Sequence, residues 1–216
     1  MVYNNVSMSS SKVLIGIPAR DTVYQYTYNS LFQLDTDGID TAIHHSVGYG
    51  IAQSRNKLAD YVLSNGFTHI LYVDNDVVLP KDALKNLLEH QKQAVFGYYA
   101  RRSKKGIYEG FVSVYKLGES SYTGKYSAEE LKQKREQGEH LLRIHGGGMG
   151  CALIESSAFK SLEFPYFKYI EYPTSKRSVL GEDLYFCNQL KSAKIPIYVD
   201  TRVGCGHVFR YVQEVM

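Results

Sequence analysis

The 216-residue sequence contains no tryptophan, only three cysteines and only five prolines. Cys151, Cys187 and Cys205 are odd in number and widely separated, which argues against a disulfide framework or a clustered zinc site and for reduced thiols. No apolar run approaches the roughly 20 residues that a membrane-spanning helix needs. The stretch from Met1 to Ser11 is polar and Ser/Asn-rich, without the apolar centre of a secretory signal. The expectation is a soluble, cytoplasmic protein with no membrane span. An excess of charge is also missing. The 25 basic and 22 acidic residues leave +3, and no Lys/Arg block forms a stripe, so nucleic acid is not an expected partner. There is no internal repeat and no low-complexity linker, and the length suits one domain with one substantial core. Tyrosine, by contrast, is abundant at 19 residues. Tyrosines can stack on sugar rings or line interfaces, although ordinary amphipathic packing accounts for most of them.

The hydrophobic pattern alternates between two periods. Val13 to Pro18 reads as a short buried strand, Tyr24 to Leu34 as a helix, and Thr41 to Val47 as a second strand ending in Gly48 and Gly50. Ile51 to Ser64 carries Leu58, Ala59 and Val62 at helical spacing, with Asn65-Gly66 as its stop. The apolar strand from His69 follows, then a helix that Pro80 opens and that Ala83, Leu84, Leu87 and Leu88 stripe, then a strand over Ala94 to Ala100. This order predicts a mainly parallel sheet covered by helices. The second half changes character. Ile107 to Leu117 alternates as a strand, Gly118 to Tyr126 is a polar loop, and Ser127 to Glu130 has capping-box spacing ahead of a charged helix ending near Gly138. Leu141 to His145 leads through a glycine run into a strand at Cys151 to Ile154. Phe164 to Arg177 is aromatic and irregular, Gly181 opens a helix, and Ile195 to Asp200 is the last strand.

Chemistry concentrates where the strands end. In His69-Ile-Leu-Tyr-Val-Asp-Asn-Asp76 a β-branched run stops in two carboxylates one residue apart. If the strand runs through them, Asp74 and Asp76 point the same way. Adjacent carboxylates repel unless a cation or shared proton lies between them, and an all-oxygen set suits Mg2+ or Mn2+. A polar turn after a buried strand gives the same letters. Arg55 falls on or beside the apolar side of its helix, in a first turn that favours anions, and suits a pyrophosphate contact. It equally suits an arginine that lays its stem over the core and reaches water. Gly146 to Gly150 precedes a strand instead of joining strand to helix, so the dinucleotide fingerprint fails; bare glycines admit a ligand close to the backbone, and a flexible turn needs them too. Glu182 and Asp183 sit at a helix N-terminus, where an ionised Asp183 can take a proton from a hydroxyl or simply match the dipole. His207 is a candidate third metal ligand, or a lone surface histidine. Ligands of open α/β sheets bind beyond the carboxyl ends of strands, where Pro18-Ala19-Arg20, Asp74/Asp76, the glycine run and His207 all fall.

Taken in order, Ile15 to Arg20, Ser54-Arg55-Asn56, Asp74-Asn75-Asp76, the glycine run, Glu182-Asp183 and Gly206-His207 resemble the GT-A glycosyltransferases over nearly the whole length. The resemblance implies a GT-A α/β fold with a small antiparallel acceptor-side portion, a nucleotide-sugar half over about 12–100 and an acceptor half over about 101–216. It implies that Pro18, Ala19 and Arg20 line the nucleoside pocket, with Arg55 near base or phosphates. Asp74, Asn75 and Asp76 would reach the ribose and a metal bridging the donor diphosphate, and Gly147 and Gly148 would border sugar and acceptor. Asp183, beside Glu182, would be the catalytic base, and His207 would join Asp74 and Asp76 on Mn2+ or Mg2+. The implied partners are a UDP-sugar and a glycan or glycoprotein acceptor. Without a membrane segment the chain is similar to bacterial sugar transferases and to capsid-glycosylating transferase domains of large algal viruses, and its compactness is compatible with one domain of a longer protein. Relatives that retain anomeric configuration would not use Asp183 as a simple base.

Two rivals remain at this stage. The Asp74-Asn75-Asp76 strand also looks like the first motif of haloacid-dehalogenase-type phosphatases, with Asp74 as nucleophile and Asp76 as acid/base, although that motif belongs on a first strand. A non-catalytic nucleotide- or carbohydrate-binding module would keep the tyrosines and need no base.

Overall fold

A computed structural model describes residues 11–102, 108–118, 122, 124–171 and 179–209. The expectations for Met1 to Ser10, for part of the polar loop after Gly118, and for Pro173 to Arg177 lie outside the described residues. In chain order the elements are β1 (Lys12–Ala19), α1 (Gln25–Phe32), β2 (Asp40–Val47), α2 (Ile51–Ser64), β3 (His69–Val73), β4 (Val77–Val78), α3 (Ala83–Glu89), β5 (Ala94–Arg102) and β6 (Tyr108–Lys116). There follow β7 (Lys125–Ser127), α4 (Ala128–Glu136), β8 (Leu141–Gly147), β9 (Cys151–Glu155), α5 (Ser156–Phe159), β10 (Ile170–Glu171), β11 (Val179–Leu180), α6 (Glu182–Ser192) and β12 (Ile197–His207).

One ten-stranded sheet organises the molecule, in the order β2-β1-β3-β9-β5-β12-β8-β6-β7, with β4 paired to β12. β1 pairs in parallel with both β2 and β3, and β5 with β12. β9 runs antiparallel to both β3 and β5, so β2, β1, β3, β5 and β12 share one direction around a single reversed strand. Beyond β12 the strands β8, β6 and β7 alternate in direction, which is the small antiparallel portion. Strands covered on both faces need near-continuous apolar sequence, and Val13, Leu14, Ile15 and Ile17, or Ile70 to Val73, supply it.

Helices cover the two faces. On one, Leu58, Ala59 and Val62 of α2 and Phe186 and Leu190 of α6 pack with Phe159 and Phe167; on the other, Leu31 of α1 and Leu84 and Leu87 of α3 pack on Ile15, Leu71 and Val95. α4 is held by the expected capping box, Glu130 N–H donating to Ser127 Oγ while Ser127 N–H donates to the Glu130 carboxylate. The helix after Pro80 starts later than expected. The Pro80 carbonyl accepts from Ala83 N–H in a preceding turn, and the helix begins at Ala83. The last strand does not stop at Asp200. A register shift between Val199 and Gly204 lets it continue to His207, where Gly206 and His207 pair with Val78 and Val77. Among the described residues no helix is long and apolar enough to cross a membrane.

Candidate functional site

The carboxyl ends of β1, β3, β5 and β12 form one edge. The strand does not run through the acidic pair. β3 ends at Val73, and Val77 N–H donates to the Asp74 carbonyl at 3.1 Å, closing a turn over Asp74 to Asp76 that reverses the chain into β4. The turn separates the two carboxylates. Asp74 Oδ1 accepts from Arg55 Nη2 at 2.6 Å, whereas Asp76 Oδ2 lies 3.4 Å from His207 Nε2.

Arg55 does not reach water. It is 2 % exposed, and its other terminal nitrogen is hydrogen-bonded to Glu182, 127 residues further along the chain. Burial works to lower its pKa, but the charges of Asp74, Glu182 and Asp183 outweigh it and hold the guanidinium above its ordinary value. Its backbone is fixed as well, since Tyr72, fully buried at the end of β3, donates to the Arg55 carbonyl at 3.0 Å. One planar fork thereby sets both the acidic turn after β3 and the first residue of α6.

Asp183 follows Glu182. Burial first, then the neighbouring Glu182 charge, push its carboxyl up to about 6, against the opposing pull of Arg55 and of the Leu184 N–H. A carboxylate poised there is basic enough to accept a proton yet ionised at neutral pH. Tyr99, which the sequence reading passed over, stands between these groups. Its hydroxyl accepts from Gly150 N–H at 3.2 Å, and its ring meets the His207 imidazole edge-on at 5.2 Å. Burial, with Asp74 and Asp183 nearby, keeps its phenol protonated well above the usual range. Its signal was the polar tyrosine placed where the apolar run of β5 reaches the sheet edge.

His207 Nδ1 lies 2.7 Å from the Ala100 carbonyl, which can only accept, so Nδ1 carries the hydrogen. Nε2 then faces Asp76 Oδ2. A backbone carbonyl on the far nitrogen is how metal-binding histidines are commonly oriented. Asp76 and His207 are donor types that suit Mn2+, but Asp74, expected as the third ligand, is turned away onto Arg55, and the three do not form a converging group. Among the described residues the group whose ligand atoms do converge is Glu89, His90 and Asp200. There Arg202 Nη2 lies 2.6 Å from Asp200 Oδ2, 3.3 Å from His90 Nε2 and against Glu89, so the positive charge is already supplied by the chain.

Beside the acidic turn, Pro18, Ala19, Arg20 and Asn75 line a cavity of about 490 Å3 together with Gly48, Tyr49, Gly50, Ile51 and Ser54. Tyr49 was not singled out from sequence, although the flanking Gly48 and Gly50 marked the end of the second strand; Gly48 has φ +85°. The glycine run is neither a flexible turn nor an open cradle at its centre. Gly147 belongs to β8, where a Cβ would lie 2.8 Å from Phe96, and a Cβ on Gly148 would lie 2.3 Å from the Tyr99 hydroxyl. Gly150 in turn accepts from Asp74 N–H at 3.1 Å, which ties the run to the acidic turn.

No protein-family model and no curated protein matches the sequence. Solved structures do. The crystal structure of A197 from STIV superposes with a TM-score of 0.60 at 18% identity, over 92% of this chain and 86% of that one. GalNAc-T7 with UDP, GalNAc and Mn2+ superposes with a TM-score of 0.56 at 11% identity over 93% of this chain, which spans 44% of that protein. At these identities the likeness establishes the fold alone, a GT-A-like α/β arrangement with a large central sheet flanked by helices.

Proposed function

We propose that this chain is a metal-dependent glycosyltransferase that moves a sugar from a UDP-sugar to an acceptor hydroxyl on a glycan or glycoprotein. The observation that carries the reading is the convergence on one sheet edge of a nucleoside-sized cavity, a carboxylate–imidazole pair suited to a divalent ion, and a carboxyl group tuned to about 6. A fold neighbour with UDP, GalNAc and Mn2+ supports the donor class.

In this reading Pro18, Ala19 and Arg20 face the base with Tyr49, and Asn75 lies at the cavity's inner border. Asp76 and His207 would hold Mn2+ or Mg2+, which would supply Lewis-acid relief of the charge that develops on a departing diphosphate, while Asp74 stays on Arg55. Arg55 acts as a positioning residue, because its guanidinium is spent on Asp74 and Glu182. Gly147 and Gly148 act through packing, leaving room for Phe96 and for the Tyr99 ring beside the site. In an inverting reaction Asp183 takes the proton from the attacking hydroxyl, its pKa raised by burial first and by the Glu182 charge second. A carboxylate bridged to a buried guanidinium is a poor nucleophile, which counts against a phosphatase built on Asp74.

Titration calorimetry with UDP, with and without Mn2+, tests this reading, with GDP and CMP as controls. UDP binding that requires Mn2+ and is lost in Asp76→Ala is the expected result. UDP binding indifferent to metal would remove the metal from the reading, and absence of binding under every condition would overturn the donor class.

A further inference from the structure

We propose that the outer edge of β2 is a dimerisation surface, on which the β2 of a second copy of this chain adds in antiparallel orientation. β2 is the terminal strand of the sheet, and its eight residues pair with β1 in unbroken register, so its outer side is a long straight row of backbone donors and acceptors. Edges of this length are normally guarded by proline, by lysine, by a bulge or by a covering segment. Asp40-Thr-Ala-Ile-His-His-Ser-Val47 has no proline, lysine or arginine, and its register has no shift. Among the described residues the surroundings are also apolar and exposed. Ile43 is 50 % exposed and Val47 48 %, while on neighbouring α1 Phe32 is 74 % and Tyr28 44 % exposed. Ile43, Tyr28 and Phe32 frame a hollow of about 310 Å3 with Leu31 and His45.

A second copy is the occupant that this edge fits. In an antiparallel pair, facing residues direct their backbone groups the same way, so they share parity along the strand and a two-fold axis must pass through a residue. Only axes at Ile43 or His44 bring seven of the eight β2 residues into pairing. An axis at His44 sets imidazole against imidazole. An axis at Ile43 sets Ile43 against its own copy, Thr41 against His45, Ala42 against His44, and Asp40 against Ser46. Asp40, the single charged residue of the strand, then faces a hydroxyl and no like charges oppose one another. The exposed ring of Phe32 accompanies Ile43 from each side. The symmetry uses each edge once and closes, and it turns the two nucleoside cavities toward opposite ends of the joined sheet. The proposal does not depend on the proposed activity.

Sedimentation velocity of the full chain at tens of micromolar tests it, with an expected mass of twice 24.5 kDa. Ile43→Lys sediments at the single-chain mass with an unchanged far-UV spectrum, because it places a charge on the axis and leaves the core intact. Ile43→Cys, under mild oxidation, yields a cross-linked dimer on a non-reducing gel, whereas Asp40→Cys and the parent chain do not. A parent chain that sediments as a monomer overturns the proposal. So does a dimer that survives Ile43→Lys, or one that cross-links through Asp40→Cys as readily as through Ile43→Cys.

Discussion

At the scale of single residues, Asp183 and Arg55 show opposite uses of burial. Asp183 carries a carboxyl that folding makes harder to ionise, from 3.8 to about 6. A group whose folded pKa is raised binds protons more tightly in the native state, so between about pH 4 and pH 6 stability falls as pH rises, and the loss persists above that window. Asp183→Asn is expected to gain stability at pH 7, on the order of 2 kcal/mol, with no gain below pH 4, as followed by thermal melting at the two pH values. The same substitution should lower turnover by about 10²–10⁴-fold if Asp183 is the base, and the parent pH–rate profile should rise through about 6. Arg55 is a paired charge whose removal leaves Asp74 and Glu182 facing each other in the interior. Arg55→Leu is expected to destabilise the fold by about 3–5 kcal/mol in urea denaturation, far beyond a surface arginine. Sequence placed this arginine near the apolar face of its helix. Its actual partner, Glu182, was invisible at that stage because nothing local relates residues 127 apart.

Elements position these residues, and here β5, β8 and the glycine run act together. Tyr99 at the end of β5 occupies the space beside Gly148. Gly148→Ala therefore forces the phenol aside and loosens its bond to Gly150, at an expected cost of about 1–3 kcal/mol. Tyr99→Phe removes the oxygen that the new methyl meets, so the double variant should recover much of that loss relative to Gly148→Ala alone, read as a coupling energy from urea curves of all four proteins. Periodicity revealed most of the elements themselves, because buried β-branched runs and the Leu58, Ala59, Val62 stripe are local features. What it missed was geometric. The turn at Asp74 to Asp76 depends on a hydrogen bond to Val77, and the extension of β12 to His207 depends on pairing with β4. The tight glycines likewise take their meaning from Phe96 and Tyr99, some fifty residues earlier.

At the scale of the whole molecule, the α/β class and its mainly parallel sheet were legible, because strand and helix patterns alternate through the first half. Strand order was not, since it rests on contacts between distant segments. β9 inserts between β3 and β5, and β12 between β5 and β8. Strands from residues 12–100 and from residues 101–216 are thus interleaved in one sheet. A fragment of residues 12–100 is expected to lack a cooperative melting transition, since β3 and β5 would each lose the strand that separates and pairs them; circular dichroism on heating would show it. Strand insertion also has a meaning in time. A ribosome delivers β3 and β5 long before β9, the strand that joins them, and Arg55 emerges well ahead of Glu182. While the chain is being made, an apolar sheet with unpaired inner edges waits for its central strands. The nascent protein is therefore most exposed to aggregation, and most in need of a chaperone, during the interval between synthesis of β5 and of β12.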